Sequence, residues 1–139
     1  MAKRRKTKKK SDASRKLAVE AACIADRDNC EGVVVLDLRG ISPITDYFVI
    51  ATGTSDRQMQ AVAQDIEEYG KGVGQRVWQT AGLEAADWIV MDFVDVVVHL
   101  FDRRHRAYYD LELIWGESPK VRWHRRKTKV KTAEKADME

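Results

Sequence analysis

The chain has 139 residues, 44% of them hydrophobic and 34% charged, with a formal net charge of +3. That length suits one domain with its own core, and no apolar run approaches the ~20 residues that span a bilayer, which sets aside a membrane-spanning helix. Cys23 and Cys30 form no CxxC pair, so reduced structural thiols are expected rather than a metal or redox centre. With an N-terminus lacking the apolar stretch of a secretory signal, this points to a cytoplasmic protein.

The charge is sharply divided. Residues 1–10 carry +7, residues 120–139 carry +5, and the stretch between them carries −9. The two basic ends are poor in apolar residues and are expected to be disordered tails, 1–10 and 119–139, around one globular domain at 11–118. Basic arms suit RNA phosphates, whereas an acidic body suits a basic protein surface.

In chain order, "SRKLAVEAACIADRDN" from Ser14 puts Leu17, Ala18, Ala21, Ile24 and Ala25 on one helical stripe, with Ser11 or Ser14 as cap. "GVVVLDLRG" and "DYFVIAT" read as strands joined by a short turn, hence antiparallel neighbours. A helix follows the Gly53 turn, with Met59, Val62, Ala63 and Ile66 on its apolar face, and ends near Tyr69 at the glycines 70, 72 and 74. "QRVWQT" reads as a short strand, and "DWIVMDF" and "DVVVHLF" as a tight hairpin turning near Val94. Asp102 caps a last helix, "RRHRAYYDLELIW", ending at Gly116. The expected fold is a single α/β domain with a mixed sheet of about five strands and flanking helices.

Candidate chemistry is thin. Gly53-Thr54-Ser55 matches neither a P-loop nor a dinucleotide turn, so Thr54 or Ser55 reads as a helix cap and Gly53 as the residue that permits a tight turn. A nucleotidyltransferase would need a DxD pair on one strand face to hold metal, and none of the predicted strands carries a DxD or DxE. His99 shares a strand face with Val97 and Phe101 and is expected to be a hydrogen-bonded, partly buried histidine. No HExxH or Cys/His cluster marks a metal site, and no GxSxG elbow marks a nucleophile. No catalytic residue, metal or cofactor is therefore expected. Trp78 is expected in the core, while Trp115 closes the last helix and Trp123 falls in the tail. Trp88, at a strand start, is a candidate exposed anchor of the kind that dominates binding hot spots. Arg106, Tyr109 and Glu112 lie on one flank of the last helix.

The combination "LDLRGISPITDYFVIATGTSDRQMQAVA", "ADWIVMDFVDVVVHLF" and "RAYYDLELIW" resembles the ribosomal silencing factors, the Iojap-like family, over about residues 14–116. The resemblance implies a nucleotidyltransferase-like core without the catalytic carboxylates. It also implies a non-catalytic function: binding the large-subunit ribosomal protein number fourteen on the intersubunit face, blocking subunit joining and repressing translation. A large-subunit assembly factor using the same docking surface is the alternative. Homodimers off the ribosome are implied too, and the basic tails could reach nearby rRNA. Carried onto matching positions, the partner-binding residues are Trp88, Asp92 and Tyr109, to which the helix-flank reading adds Glu112. Three departures stand out. Ala81 precedes Gly82 where the family has Glu, and Arg103 and Arg104 replace common acids. Val94 replaces a turn glycine, which predicts a reshaped hairpin.

Overall fold

A computed structural model describes residues 2–108 and 118–124. Helix α1 spans Ala2–Arg27. Its stripe of Leu17, Ala18, Ala21, Ala22, Ile24 and Ala25 is buried, and the alanines let it lie close over the sheet. Two expectations are corrected here. The basic segment read as an N-terminal tail continues this helix from Ala2. Ser14 is no cap but a buried residue on the helix's inner face, one turn before Leu17 and Ala18.

Strand β1 is Glu31–Asp37 and β2 is Tyr47–Thr52, paired antiparallel as the short connection requires. Helix α2, Asp56–Gly72, buries Met59, Val62, Ala63 and Ile66. It runs beyond Tyr69 through Gly70 to Gly72 and ends before Gly74. Gly70 is there for space: a Cβ would lie 2.4 Å from the Gln75 carbonyl oxygen and 2.9 Å from Phe93. The remaining strands are β3, Gln79–Ala81, β4, Trp88–Asp92, and β5, Val96–Phe101. Helix α3, Arg103–Tyr108, follows, and its expected continuation to Gly116 lies outside the described residues.

The sheet has five strands in the order β1-β2-β5-β4-β3, with β2 and β5 parallel and every other pair antiparallel. Helix α2 therefore carries the chain from β2 past β5 and β4 to the far edge. Alternation along the strands divides the side chains between two faces. Val35, Tyr47, Val49, Ala51, Ile89, Met91, Val98 and Leu100 enter the main core under α1 and α2. Leu36, Leu38, Ile50 and Phe101 form a second, smaller cluster on the opposite face.

The segment after Ser118 corrects a second tail expectation. The Asp37 N–H donates to the Pro119 carbonyl at 2.8 Å, and the Val121 N–H to the Val35 carbonyl at 2.8 Å. Lys120 bridges Leu36 in antiparallel fashion. Val121 and Trp123 are buried in the main core, while Lys120, Arg122 and His124 alternate outward. The Trp123 indole donates to the Val33 carbonyl at 3.2 Å. This short added strand covers the β1 edge, which would otherwise offer unpaired backbone groups. Among the described residues no helix is long and apolar enough to cross a membrane.

Candidate partner-binding face

The face opposite α1 and α2 carries the candidate residues. Trp88 opens β4 and packs on the cluster of Leu36, Leu38, Ile50 and Phe101, beside Phe48. It is half-buried rather than an exposed anchor. Its ring stacks on Phe101, centroids 5.0 Å apart and planes 25° apart, an offset geometry that aromatic pairs prefer. Its Nε1–H donates to His99 Nδ1 at 3.2 Å. His99 in turn meets Phe48 edge-on at 4.7 Å between centroids.

His99 is 7% exposed. Burial pushes its pKa down from 6.5 to about 4, because the charged ring would lose its hydration there. The expected hydrogen bond is present, and the ring is more deeply buried than the partly buried histidine expected. What sequence reading missed is its link to Trp88. The signal was available in the hairpin: a turn at 93–95 pairs Val90 with His99 and Trp88 with Phe101, making Trp88 and His99 diagonal neighbours on one face.

Asp92 ends β4 on the same face as Trp88, four residues away, or about 13 Å along a strand. Its Oδ1 accepts the Val94 N–H at 2.7 Å, so its carboxylate closes the hairpin. That hairpin keeps a short turn, with the Phe93 N–H on the Val96 carbonyl at 2.8 Å. The reshaping expected from Val94 does not occur; Val94 adopts φ 77°, the conformation a glycine would take. Tyr109 and Glu112 lie outside the described residues, so of the four candidates Trp88 and Asp92 are the ones placed together.

Helix α3 is fixed to the sheet at its start. Asp102 caps it as expected, accepting the His105 N–H at 2.7 Å, with the His105 ring Nδ1 2.8 Å away. Desolvation raises the Asp102 pKa, but the bonds from the His105 backbone and ring outweigh it and hold the carboxyl below its usual range. Arg103, one of the charge reversals, forms a fork with Glu31 at 2.9 and 3.1 Å, which ties α3 to the first residue of β1. Arg106 donates to Thr52 Oγ1 at 2.8 Å, so this member of the flank reaches back to the sheet.

The Gly53 turn is a helix cap. Ser55 is the N-cap, with its Oγ accepting the Gln58 N–H at 3.1 Å, and Gln58 Oε1 accepts the Thr54 N–H at 2.9 Å. The two bonds are reciprocal, close to a capping box. Gly53 serves close packing: a Cβ there would sit 2.0 Å from Met59 Cγ. Both cysteines are free thiols, and burial pushes Cys30 up to about 11. Trp78 is 70% exposed, contrary to its expected core position, because it precedes the edge strand β3. Among the described residues no group of three His, Cys, Asp or Glu is placed to hold a metal ion.

A family model described as "Ribosomal silencing factor during starvation" matches residues 11–139. The chain is 41% identical over 99 residues to the ribosomal silencing factor RsfS of Bacillus subtilis, covering 71% of this chain and 84% of that protein. It is 32% identical over 92 residues to a mouse protein named for mitochondrial assembly of the ribosomal large subunit, covering 64% of this chain and 40% of the mouse protein. A crystal structure of a Chromobacterium violaceum protein superposes with a TM-score of 0.68 at 31% identity, covering 76% of this chain and 85% of that one. The mixed five-stranded sheet, its helices, and these matches over most of the chain lead to one conclusion: this chain belongs to the ribosomal silencing factor family.

Proposed function

We propose that this protein is a non-catalytic cytoplasmic factor that binds the large ribosomal subunit and prevents its joining with the small subunit, repressing translation. The partner would be the large-subunit ribosomal protein number fourteen on the intersubunit face. Family membership carries the reading, and the Trp88 face supports it: an aromatic ring, half-buried and held flat on Phe101, is a suitable anchor for a protein partner. The acidic globule suits a basic ribosomal protein, and the basic chain ends suit surrounding rRNA. Off the ribosome the protein would form homodimers, checked by light scattering of the purified chain.

Sucrose-gradient sedimentation of purified subunits tests the main reading. Co-migration with the large subunit and loss of joined ribosomes is the expected outcome; failure to co-migrate at low salt would overturn it. A second reading, large-subunit assembly through the same surface, is favoured by the name of the mouse relative. Co-migration with subunit joining left intact would select it.

A further inference from the structure

We propose that His99 is a positioning residue for the partner-binding face, holding the Trp88 indole in the orientation a partner meets. The inference rests on reading Trp88 as a partner contact and adds the group that sets its geometry.

The argument begins with the donor inventory. An indole N–H can only donate, so the 3.2 Å contact makes His99 Nδ1 the acceptor and puts the imidazole proton on Nε2. That Nε2–H is buried without a hydrogen-bond partner among the described residues. A buried, unpartnered donor weakens a fold, and the rings around His99 are Phe48, Phe101 and Trp88, with Ile50 and Val90 as its cross-strand neighbours. An apolar side chain would suit those surroundings and leave no orphan. What leucine could not supply is an acceptor for the indole.

With that acceptor in place, the ring is held on more than one side. Phe101 stacks beneath it at 5.0 Å, His99 lies beside it at 6.0 Å, and the hydrogen bond sets its rotation. Without the acceptor, the indole N–H must turn toward water to be satisfied, and the ring tips away from Phe101. A side chain already in its bound rotamer loses less entropy on docking. The hydrogen bond therefore acts on affinity through Trp88, with His99 itself too buried to meet the partner.

The test uses the full chain and purified large subunits, with His99→Leu and His99→Asn. Asparagine offers a side-chain oxygen near the position of Nδ1, whereas leucine offers none. Each of the four tryptophans gives one indole N–H signal by NMR, and the Trp88 signal is identified by its loss in Trp88→Phe. In His99→Leu that signal should move upfield and exchange faster with solvent, while the other three report an intact fold. Large-subunit affinity should fall about tenfold, the loss typical of a removed acceptor, with the thermal midpoint unchanged or higher. His99→Asn should restore the signal and hold affinity within about threefold of wild type. Wild-type affinity in His99→Leu, or His99→Asn as weak as His99→Leu, would overturn the proposal. If the wild-type chain itself fails to bind large subunits, the partner reading fails. The indole signal still decides the positioning role then: unmoved in His99→Leu, it overturns that role; moved in His99→Leu and restored in His99→Asn, it upholds it.

Discussion

Val94 has φ 77° and is 52% exposed. A β-branched residue rarely adopts that conformation, because its Cβ crowds the following carbonyl. The bond from its N–H to Asp92 and the Phe93–Val96 closure hold it there. Glycine would release the strain but lose more chain entropy on folding. The strain is the larger effect, so Val94→Gly should stabilise the protein by about 1 kcal/mol, read from the urea midpoint. A lower midpoint would mean that the valine side chain makes contacts that outweigh its backbone cost. Gly82 is the opposite case. At φ 84° a Cβ would lie 2.1 Å from the Trp88 carbonyl oxygen, an immovable backbone atom. Gly82→Ala should cost about 3 kcal/mol or more by the same measurement, and a near-neutral result would refute that close approach. On the binding side, Trp88→Ala should weaken large-subunit binding by more than ~2 kcal/mol if the ring is a hot spot; unchanged binding by the folded variant would remove Trp88 from the interface.

At the scale of elements, the strand-like segment at 119–123 decides how the β1 edge is finished. Its backbone bonds to Val35 and Asp37, together with Trp123 packed into the core, make it part of the sheet. Two truncations separate its role from that of the chain beyond it. Deleting residues 125–139 should leave the thermal midpoint unchanged. Deleting residues 118–139 should lower stability by about 2–4 kcal/mol, the scale of losing a large buried aromatic and its neighbours, and should promote aggregation through the uncovered edge. Equal midpoints for the two truncations would show that the added strand contributes nothing to the fold. Helix α2 illustrates a related point: glycine is a poor helix former, yet Gly70 and Gly72 lie within the helix, because the close approach of Gln75 and Phe93 at Gly70 outweighs propensity.

For the whole molecule, pH is the most direct probe of the buried face. His99 falls from 6.5 to about 4 on folding, so the unfolded chain binds a proton that the folded chain excludes in that interval. The stability it leaves intact above pH 6.5 is lost progressively as pH falls to about 4, by about 3 kcal/mol in total. Asp37 adds to this at lower pH. Its bonds from Arg39, opposed by desolvation, lower its pKa, so its contribution disappears below its ordinary range. Asp28 works the other way: desolvation, with Asp65 nearby, raises its pKa. Urea unfolding at pH 7 and pH 4.5 should show the His99 loss in the wild type and a smaller loss in His99→Leu. Identical pH dependence in the two would mean that His99 is not buried as described.

Much of this architecture was legible from local pattern. The amphipathic stripe of α1, the hairpin of β4 and β5, the antiparallel β1–β2 pair and the Ser55 and Asp102 caps depend on neighbours a few residues away, so spacing and residue type suffice to read them. The lack of a DxD pair on any predicted strand and the long family motifs are local features too, and they carry the functional reading. Tertiary structure decided the rest. Only long-range pairing inserts β5 between β2 and β4, and only the open edge of β1 gives Val121 and Trp123 something to pack against. In isolation, alternating Lys, Val, Arg and Trp cannot be distinguished from the basic tail they begin, because the burial that orders them comes from another strand. The same holds for His99. Its sequence neighbours place it on a strand face, but its role depends on the indole of Trp88 across the hairpin. Charge, periodicity and caps are local properties that the sequence by itself determines; edge pairing, tautomer and ring orientation exist only once distant segments meet.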